Sequence, residues 1–111
     1  MRWQCYIGEI TEPYKERWEP HTVKPEQKAP DIYDAFYPTF MFHDRMPDFR
    51  AADKCFTDCI QVDWGGWAYK ATVEQMQKYN EFTFPQDQIS EDIIEQLDPE
   101  TVYAFAAVEL G

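Results

Sequence analysis

Apolar and polar residues alternate near both ends of the chain, and this alternation is typical of β-strands. Over residues 3–10 the apolar positions Trp3, Cys5 and Ile7 fall on one face of a predicted strand. Residues 101–110 alternate as well, but both of their faces are largely apolar, so we predict a strand that is buried on both sides. Because chain ends often lie close together, we expect these two strands to pair.

The middle of the chain fits two patterns. Residues 47–63 carry apolar side chains at both helical and strand spacing. The sequence Trp64-Gly65-Gly66-Trp67 follows, and a Gly-Gly pair can adopt the positive φ angles of a two-residue hairpin turn. We therefore favour a β-hairpin around it, preceded by a short helical turn at residues 47–53. The alternative is a helix that ends at Asp63, with Gly65 just beyond its C-terminus.

Two short helices are predicted in the second half of the chain. Thr72 precedes residues 73–79 and has Gln75 three positions later, which is the spacing of a capping box. Ser90 is the predicted cap of a second helix at residues 91–97. Its apolar positions share one face and its acidic positions face water; the apolar ones are Ile93, Ile94 and Leu97.

Prolines divide the first half of the chain. Residues 11–30 contain four of them among many charged residues, so we predict a long proline-rich loop without regular structure. Residues 31–42 are rich in aromatic and large apolar side chains. We expect a helical turn first and, after an interruption at Pro38, a strand over residues 39–42. These side chains fit a core, and the alternative is an exposed aromatic patch.

These elements predict an α+β fold: a small, mostly antiparallel sheet of the N-terminal strand, the Trp-Gly-Gly-Trp hairpin and the C-terminal strand, with two or three short helices. The 111 residues are 44% hydrophobic and 17% aromatic, which suits a single domain over residues 1–111. No apolar run reaches the 18 or so residues of a membrane span, and the N-terminus lacks a signal-peptide core. The cysteines Cys5, Cys55 and Cys59 are odd in number for a disulfide framework. We therefore expect a cytoplasmic protein with reduced thiols.

Charge is the most informative feature for function. The formal net charge is −11, and residues 81–111 hold eight carboxylates without any Lys or Arg. Such a charge repels nucleic acid and anionic membranes and attracts basic surfaces, so we predict a basic protein partner. Six of the eight carboxylates lie in and around the second predicted helix, and they are the predicted binding residues: Asp87, Glu91, Asp92, Glu95, Asp98 and Glu100.

Motifs for catalysis or metal binding are weak in this sequence. Cys55 and Cys59 are four residues apart and His43 lies upstream, but zinc sites usually have two such pairs. Neither histidine has a local signature that links it to a thiol or hydroxyl nucleophile. We therefore predict no enzyme, no metal and no cofactor, and a metal-binding protein that uses Cys55, Cys59 and His43 is the weakest alternative.

These observations predict a small acidic binding protein that inhibits or neutralises a basic, nucleic-acid-binding partner. Bacterial immunity proteins and phage-encoded inhibitors of defence nucleases share its small size, acidity and lack of catalytic motifs, which is an analogy of profile alone. Glu91 and Glu95 would stand about 6 Å apart along a helix, a sparse imitation of phosphates spaced about 3.4 Å along a DNA strand.

We expect the affinity to come from aromatic anchors, and the candidates are Trp18, Trp64, Trp67 and Tyr69. The alternative function is a structural or assembly subunit that docks through residues 31–42. The sequence leaves the oligomeric state open.

Overall fold

The computed structural model describes residues 2–17, 35–62 and 66–109. They form a five-stranded antiparallel sheet with four α-helices, which confirms the predicted α+β class. In chain order the elements are β1 (Trp3–Ile10), α1 (Glu12–Arg17), β2 (Phe36–His43), α2 (Phe49–Cys55), β3 (Thr57–Val62), β4 (Gly66–Ala71), α3 (Val73–Phe82), a 3₁₀ turn (Pro85–Asp87), α4 (Glu91–Glu95) and β5 (Tyr103–Glu109).

The C-terminal strand lies at the centre of the sheet, whose strand order is β2-β1-β5-β4-β3. Every residue of β5 from Tyr103 to Val108 is buried, which confirms the prediction of a strand covered on both faces. The two terminal strands also pair as predicted: β5 runs antiparallel to β1, with Tyr6 opposite Ala106. A central strand has neighbours on both edges and layers on both faces, and this position explains its continuous apolar sequence.

The ambiguous middle segment divides into a helix and a strand. Helix α2 begins after Asp48, whose carboxylate accepts the Ala51 N–H at 3.1 Å, and it ends at Cys55. Strand β3 follows and pairs antiparallel with β4. The alternative of a helix ending at Asp63 is therefore wrong. Residues 63–65 lie outside the described residues, so the type of turn between the two strands stays a prediction.

The predicted proline-rich loop is partly helical, because α1 occupies Glu12–Arg17. Pro13 lies in the first turn of this helix, where the backbone N–H has no helical partner and proline removes nothing. The Thr11 carbonyl accepts the N–H groups of Tyr14 and Lys15 at 3.0 and 3.1 Å. The loop prediction is wrong for residues 12–17, and residues 18–30 lie outside the described residues.

Strand β2 runs through Pro38, where we predicted an interruption. Pro38 lies opposite Gly8 of β1, and β2 is an edge strand of the sheet. An edge strand pairs on one side alone, so a proline whose missing N–H would face outward is tolerated there. Residues 31–34, where we expected a helical turn, lie outside the described residues.

Both predicted helices of the second half are present. Helix α3 has the complete capping box of Thr72 and Gln75 and extends three residues beyond the predicted end, to Phe82. Helix α4 is shorter than predicted, ending at Glu95, and the Ser90 side chain makes no capping hydrogen bond. The apolar face is as predicted: Ile94 is buried, and Ile93 and Leu97 pack against the same core.

Two cores cover the two faces of the sheet. On one face, α2 and α3 pack on the sheet around Phe105, Tyr69 and Ile7. On the other face the central strands present alanines, including Ala68 and Ala106, beside larger residues such as Ile10, Phe36 and Val62. The first face is therefore the helix-bearing face, and it carries the sites described below.

Gly8 is required where β1 and β2 approach each other. A Cβ atom at this position would lie 1.9 Å from the Tyr37 carbonyl oxygen, and the pairing of the two strands shifts between Ile7 and Gly8. Gly8→Ala should therefore push β2 away and lower the free energy of unfolding by about 1–3 kcal/mol in urea denaturation. Glu9→Ala, at the exposed neighbouring position, is the control and should change it by less than about 0.5 kcal/mol. Equal effects of the two variants would contradict this account.

Candidate functional site

Five of the six predicted carboxylates form an exposed acidic patch, which we define as Glu91, Asp92, Glu95, Asp98 and Glu100. Three of them lie on α4 and two in the turn that leads to β5. Within residues 2–17, 35–62 and 66–109, no Lys, Arg or His comes within 4.0 Å of these carboxylates. Their negative charge is therefore not neutralised locally by the described part of the chain.

Hydrogen bonds and packing hold the acidic patch in place. Ile94 anchors α4 in the core, while the Tyr103 hydroxyl accepts the Asp98 N–H at 2.7 Å. The Asp98 carboxylate in turn accepts the Glu100 N–H at 2.8 Å. These contacts fix the backbone under the carboxylates, so the patch is part of a folded surface.

Asp87, the sixth predicted carboxylate, has a different environment. Its side chain is 15% exposed and forms an ion pair with Arg45 at 3.3 Å. The Arg45 guanidinium also donates to the carbonyl of Gln86. Asp87 thus ties the 3₁₀ turn to the segment after β2 and is paired within the chain, unlike the five carboxylates of the acidic patch; its role as a binding residue stays a prediction.

Two phenylalanines at the end of α3 are exposed near the start of the acidic segment. Phe82 is 55% and Phe84 65% exposed, and the Lys54 ammonium lies 4.0 Å from the centre of the Phe82 ring. Both rings line a groove of about 330 Å³ that reaches Asp87. Neither ring is among the predicted anchors, since both follow the predicted helix at residues 73–79. Their position between Glu81 and Asp87, in a segment without cations, was the available signal.

The predicted aromatic anchors differ in their exposure to solvent and in whether the structure describes them. Tyr69 is 4% exposed and packs in the core beneath α2, so little of its ring is open to a partner, and its role as an anchor stays a prediction. It faces the helix-bearing side of the sheet, opposite Phe105 on β5. Trp67 is half-buried on β4. Trp18 and Trp64 lie outside the described residues, and their role stays a prediction.

Tyr69 belongs to a small polar cluster under α2. Its hydroxyl donates to Asp53 Oδ1 at 2.6 Å, and the Cys59 thiol lies beside the same hydroxyl. Burial raises the pKa of the Tyr69 hydroxyl, and the bond to Asp53 raises it further. Burial is also the main reason that the pKa of the Cys59 thiol is raised. At neutral pH both groups are therefore protonated, and Cys59 is not a thiolate nucleophile.

The residues of the metal-binding alternative are not brought together. His43 is on β2 and Cys59 on β3, the two opposite edges of the sheet, roughly 19 Å apart by strand spacing. Cys55 ends α2, and burial raises the pKa of its thiol. Among the described residues no three His, Cys, Asp or Glu side chains form a group that could hold a metal ion.

A half-buried polar corner surrounds His43 at the end of β2. The His43 Nδ1 atom accepts the Arg45 N–H at 3.2 Å, while Nε2 is buried and has no hydrogen-bond partner in the described structure. Burial lowers the pKa of His43 below its usual 6.5; the charge of Arg45 adds to this effect, whereas the charges of Asp87 and Asp44 and the backbone hydrogen bond of Arg45 oppose it. Next to it, the Cys5 thiol donates to the Arg45 carbonyl at 3.3 Å, and its pKa is raised to about 12, mainly by burial.

This corner predicts a loss of stability in mild acid. The unfolded chain binds a proton at His43 more readily than the folded chain does, so the free energy of unfolding should fall as the pH drops through about 6.5. His43→Asn keeps an acceptor for the Arg45 N–H but cannot titrate. In urea denaturation between about pH 8 and pH 5.5, the wild type should lose stability relative to His43→Asn. If the difference in free energy of unfolding between the two proteins does not change with pH, the prediction is contradicted.

The described part of the chain contains no helix that is long and apolar enough to cross a membrane. Comparison with models of protein families, with curated proteins and with solved structures found no match to this chain.

Proposed function

We propose that this chain is a small acidic protein that inhibits or neutralises a basic, nucleic-acid-binding protein by covering its basic surface. The observation that carries the proposal is the acidic patch: five exposed carboxylates on and after α4, without a cation within 4.0 Å in the described residues. A partner rich in Lys and Arg would supply the missing counter-charges. We place the protein in the cytoplasm, where Cys5, Cys55 and Cys59 would remain thiols.

The carboxylates would act mainly on association and on partner choice. A one-sided charge of this size attracts basic surfaces over distances comparable to the Debye length, about 8–10 Å near physiological salt. It also disfavours acidic partners and nucleic acid, because like charges brought together are repelled. The patch would thus compete with phosphates for the same basic surface, as a sparse mimic of nucleic acid.

Phe82 and Phe84 are two strongly exposed aromatic residues of the described structure, and we assign the anchoring role to them. Each ring can bury roughly 150–250 Å² of surface in an interface. Charged pairs at the rim of an interface usually contribute little to affinity, whereas a few buried aromatic residues contribute most of it. The proposal therefore assigns affinity to these rings and selectivity to the acidic patch.

Affinity capture tests the proposal. Wild-type protein and the triple variant Glu91→Gln/Asp92→Asn/Glu95→Gln are immobilised and exposed to lysate of the cells that encode the chain. Proteins retained by the wild type and lost with the variant should be basic, with isoelectric points above about 9, and should bind nucleic acid. Added wild-type protein should then release them from a DNA or RNA fragment in a gel-shift assay.

A second triple variant controls for total charge. Glu16→Gln/Glu74→Gln/Glu81→Gln changes the net charge equally at exposed positions outside the acidic patch, on α1 and α3. It should retain the same proteins as the wild type. If both triple variants behave alike, or if the retained proteins stay on nucleic acid, the proposal is wrong.

A structural or assembly subunit is the second candidate, and the edge strand β2 favours it. Tyr37 and Met41 on this strand are 63% and 53% exposed, and an edge strand has unpaired backbone groups available for another chain. Sedimentation velocity tests this candidate. Self-association that Tyr37→Ser/Met41→Ser abolishes, without any affinity for basic proteins, would favour it over the inhibitor.

A further inference from the structure

A cleft opens between α2 and the β3–β4 strand pair on the helix-bearing face. It has a volume of about 340 Å³ and is lined by Phe49, Asp53, Cys59, Trp67 and Tyr69. Three of the five side chains are aromatic and one is a carboxylate. We call it the Trp67 cleft.

The secondary structure explains why these side chains meet. Phe49 and Asp53 are four residues apart on α2 and therefore lie on one side of that helix. Trp67 and Tyr69 are two residues apart on β4 and face the same side of the sheet. The Phe49 ring also makes an edge contact with Trp3, with 5.8 Å between the ring centres. The walls of the cleft are thus supported by the fold.

The electrostatics of the Trp67 cleft favour a cation. Asp53 Oδ1 accepts the Tyr69 hydroxyl at 2.6 Å, and Oδ2 makes no hydrogen bond or ion pair within the described ranges. Among the described residues that line the cleft there is no Lys, Arg or His, and the Cys59 thiol is neutral. Of the lining residues that the structure describes, Asp53 is therefore the charged one.

We propose that the Trp67 cleft binds the guanidinium group of an arginine side chain of the basic partner. A planar cation is attracted to the faces of Trp and Phe rings, and its N–H groups form charge-assisted hydrogen bonds with a carboxylate. Arginine fits better than lysine because its flat, weakly hydrated head can stack on a ring and still donate to Asp53. This inference rests on the proposed function, which supplies the arginine.

The Trp67 cleft is separate from the acidic patch. Trp67 lies opposite Ala107 of β5, whereas Tyr103, which binds the Asp98 N–H, is four residues away on the same strand. Four residues of a strand span about 13 Å. A bound partner would therefore contact the helix-bearing face at two places that can be tested independently.

NMR titration with a small arginine analogue tests the cleft without the partner. N-acetyl-arginine methylamide is added to ¹⁵N-labelled wild-type protein, and the Trp67 indole N–H and the amides of Asp53 and Cys59 are followed. Their shifts should saturate together, with a dissociation constant on the order of millimolar, as expected for a single side chain. Asp53→Asn keeps an acceptor for Tyr69 and should weaken binding roughly tenfold, since it removes the charge.

Matched controls separate specific binding from general attraction to an acidic protein. The citrulline analogue has the same shape without charge, and the lysine analogue has the charge without the planar head; both should bind more weakly than arginine. Asp92→Asn removes an equal charge from the acidic patch and should leave binding at the cleft unchanged. Trp67→Leu, which removes the ring and keeps Asp53, should weaken binding as well.

The inference is overturned if the shifts appear around α4 and not around Trp67, or if Asp53→Asn and Asp92→Asn have equal effects. It is also overturned if the citrulline analogue binds as tightly as the arginine analogue. None of these results changes the expected outcome of the capture experiment, which depends on Glu91, Asp92 and Glu95. Failure of the cleft and failure of the proposed function are thus distinguishable.

Discussion

Replacing Phe105 by alanine is expected to lower the free energy of unfolding by about 3–5 kcal/mol. Phe105 is fully buried at the middle of the central strand. Four aromatic rings surround it, with ring centres at 4.6 Å (Phe56), 5.3 Å (Phe42 and Tyr79) and 6.1 Å (Tyr69). The substitution removes their shared contact and leaves a cavity between the sheet and its helices.

Urea denaturation followed by circular dichroism measures this effect, with Phe84→Ala as the control. Phe84→Ala deletes the same atoms from an exposed position and should change stability by about 0.5 kcal/mol or less. Small domains have about 5–15 kcal/mol of stability, so Phe105→Ala can leave a mainly unfolded protein. Phe105→Leu retains most of the volume and should cost less than about 1.5 kcal/mol. If Phe105→Ala lowers the free energy of unfolding as little as Phe84→Ala does, the Phe105 ring is not central to the stability of the core.

The second large effect concerns association with the partner. The triple variant Glu91→Gln/Asp92→Asn/Glu95→Gln should lower the association rate constant at low salt by about tenfold or more, because it removes the charges that steer encounter. Its dissociation rate should change less, since the anchoring rings Phe82 and Phe84 are retained. Stopped-flow fluorescence with the protein captured by the wild type measures both rates.

The control for this experiment is the variant Glu16→Gln/Glu74→Gln/Glu81→Gln, which has the same net charge. Its association rate should stay close to that of the wild type if the position of the charge matters. All six substituted side chains are exposed, so both variants should keep the stability of the wild type. Equal slowing by both variants would mean that net charge, and not the acidic patch, sets the rate.

Local signals explain which parts of the fold could be predicted. The capping box of Thr72 and Gln75 involves residues three apart and was recognisable in the sequence. The apolar sequence of β5 likewise indicated that both faces of this strand are buried. The course of β2 through Pro38 depends instead on its place at the sheet edge, which is set by pairing with β1 and not by neighbouring residues. The first turn of α1 was missed because Pro13 was interpreted as a breaker.

In the candidate site, too, features set by residues close together in the sequence could be predicted, and features set by residues far apart could not. Charges on α4 were predictable, because helical spacing placed Glu91 and Glu95 opposite the apolar face. The ion pair between Asp87 and Arg45 could not be predicted, since the two residues are 42 positions apart in the sequence. The burial of Tyr69 was not predicted, because a strand pattern does not reveal which face the helices cover.

The Trp67 cleft depends on contacts that no local pattern predicts. Asp53 and Tyr69 are 16 residues apart and meet because α2 packs over β4. The acidic patch and the cleft both lie on the helix-bearing face. A basic partner that uses both would be selected by charge at α4 and by an arginine at Trp67.

The salt dependence of the association rate tests the central claim most directly. Wild-type protein and its captured partner are mixed at ionic strengths from about 0.02 M to about 0.5 M, where the Debye length falls from about 20 Å to about 4 Å. If the acidic patch steers binding, the wild-type rate should fall steeply over this range and the α4 triple variant should show a much flatter dependence. A wild-type rate that does not change with salt, or equal salt dependence for the two proteins, would contradict the account.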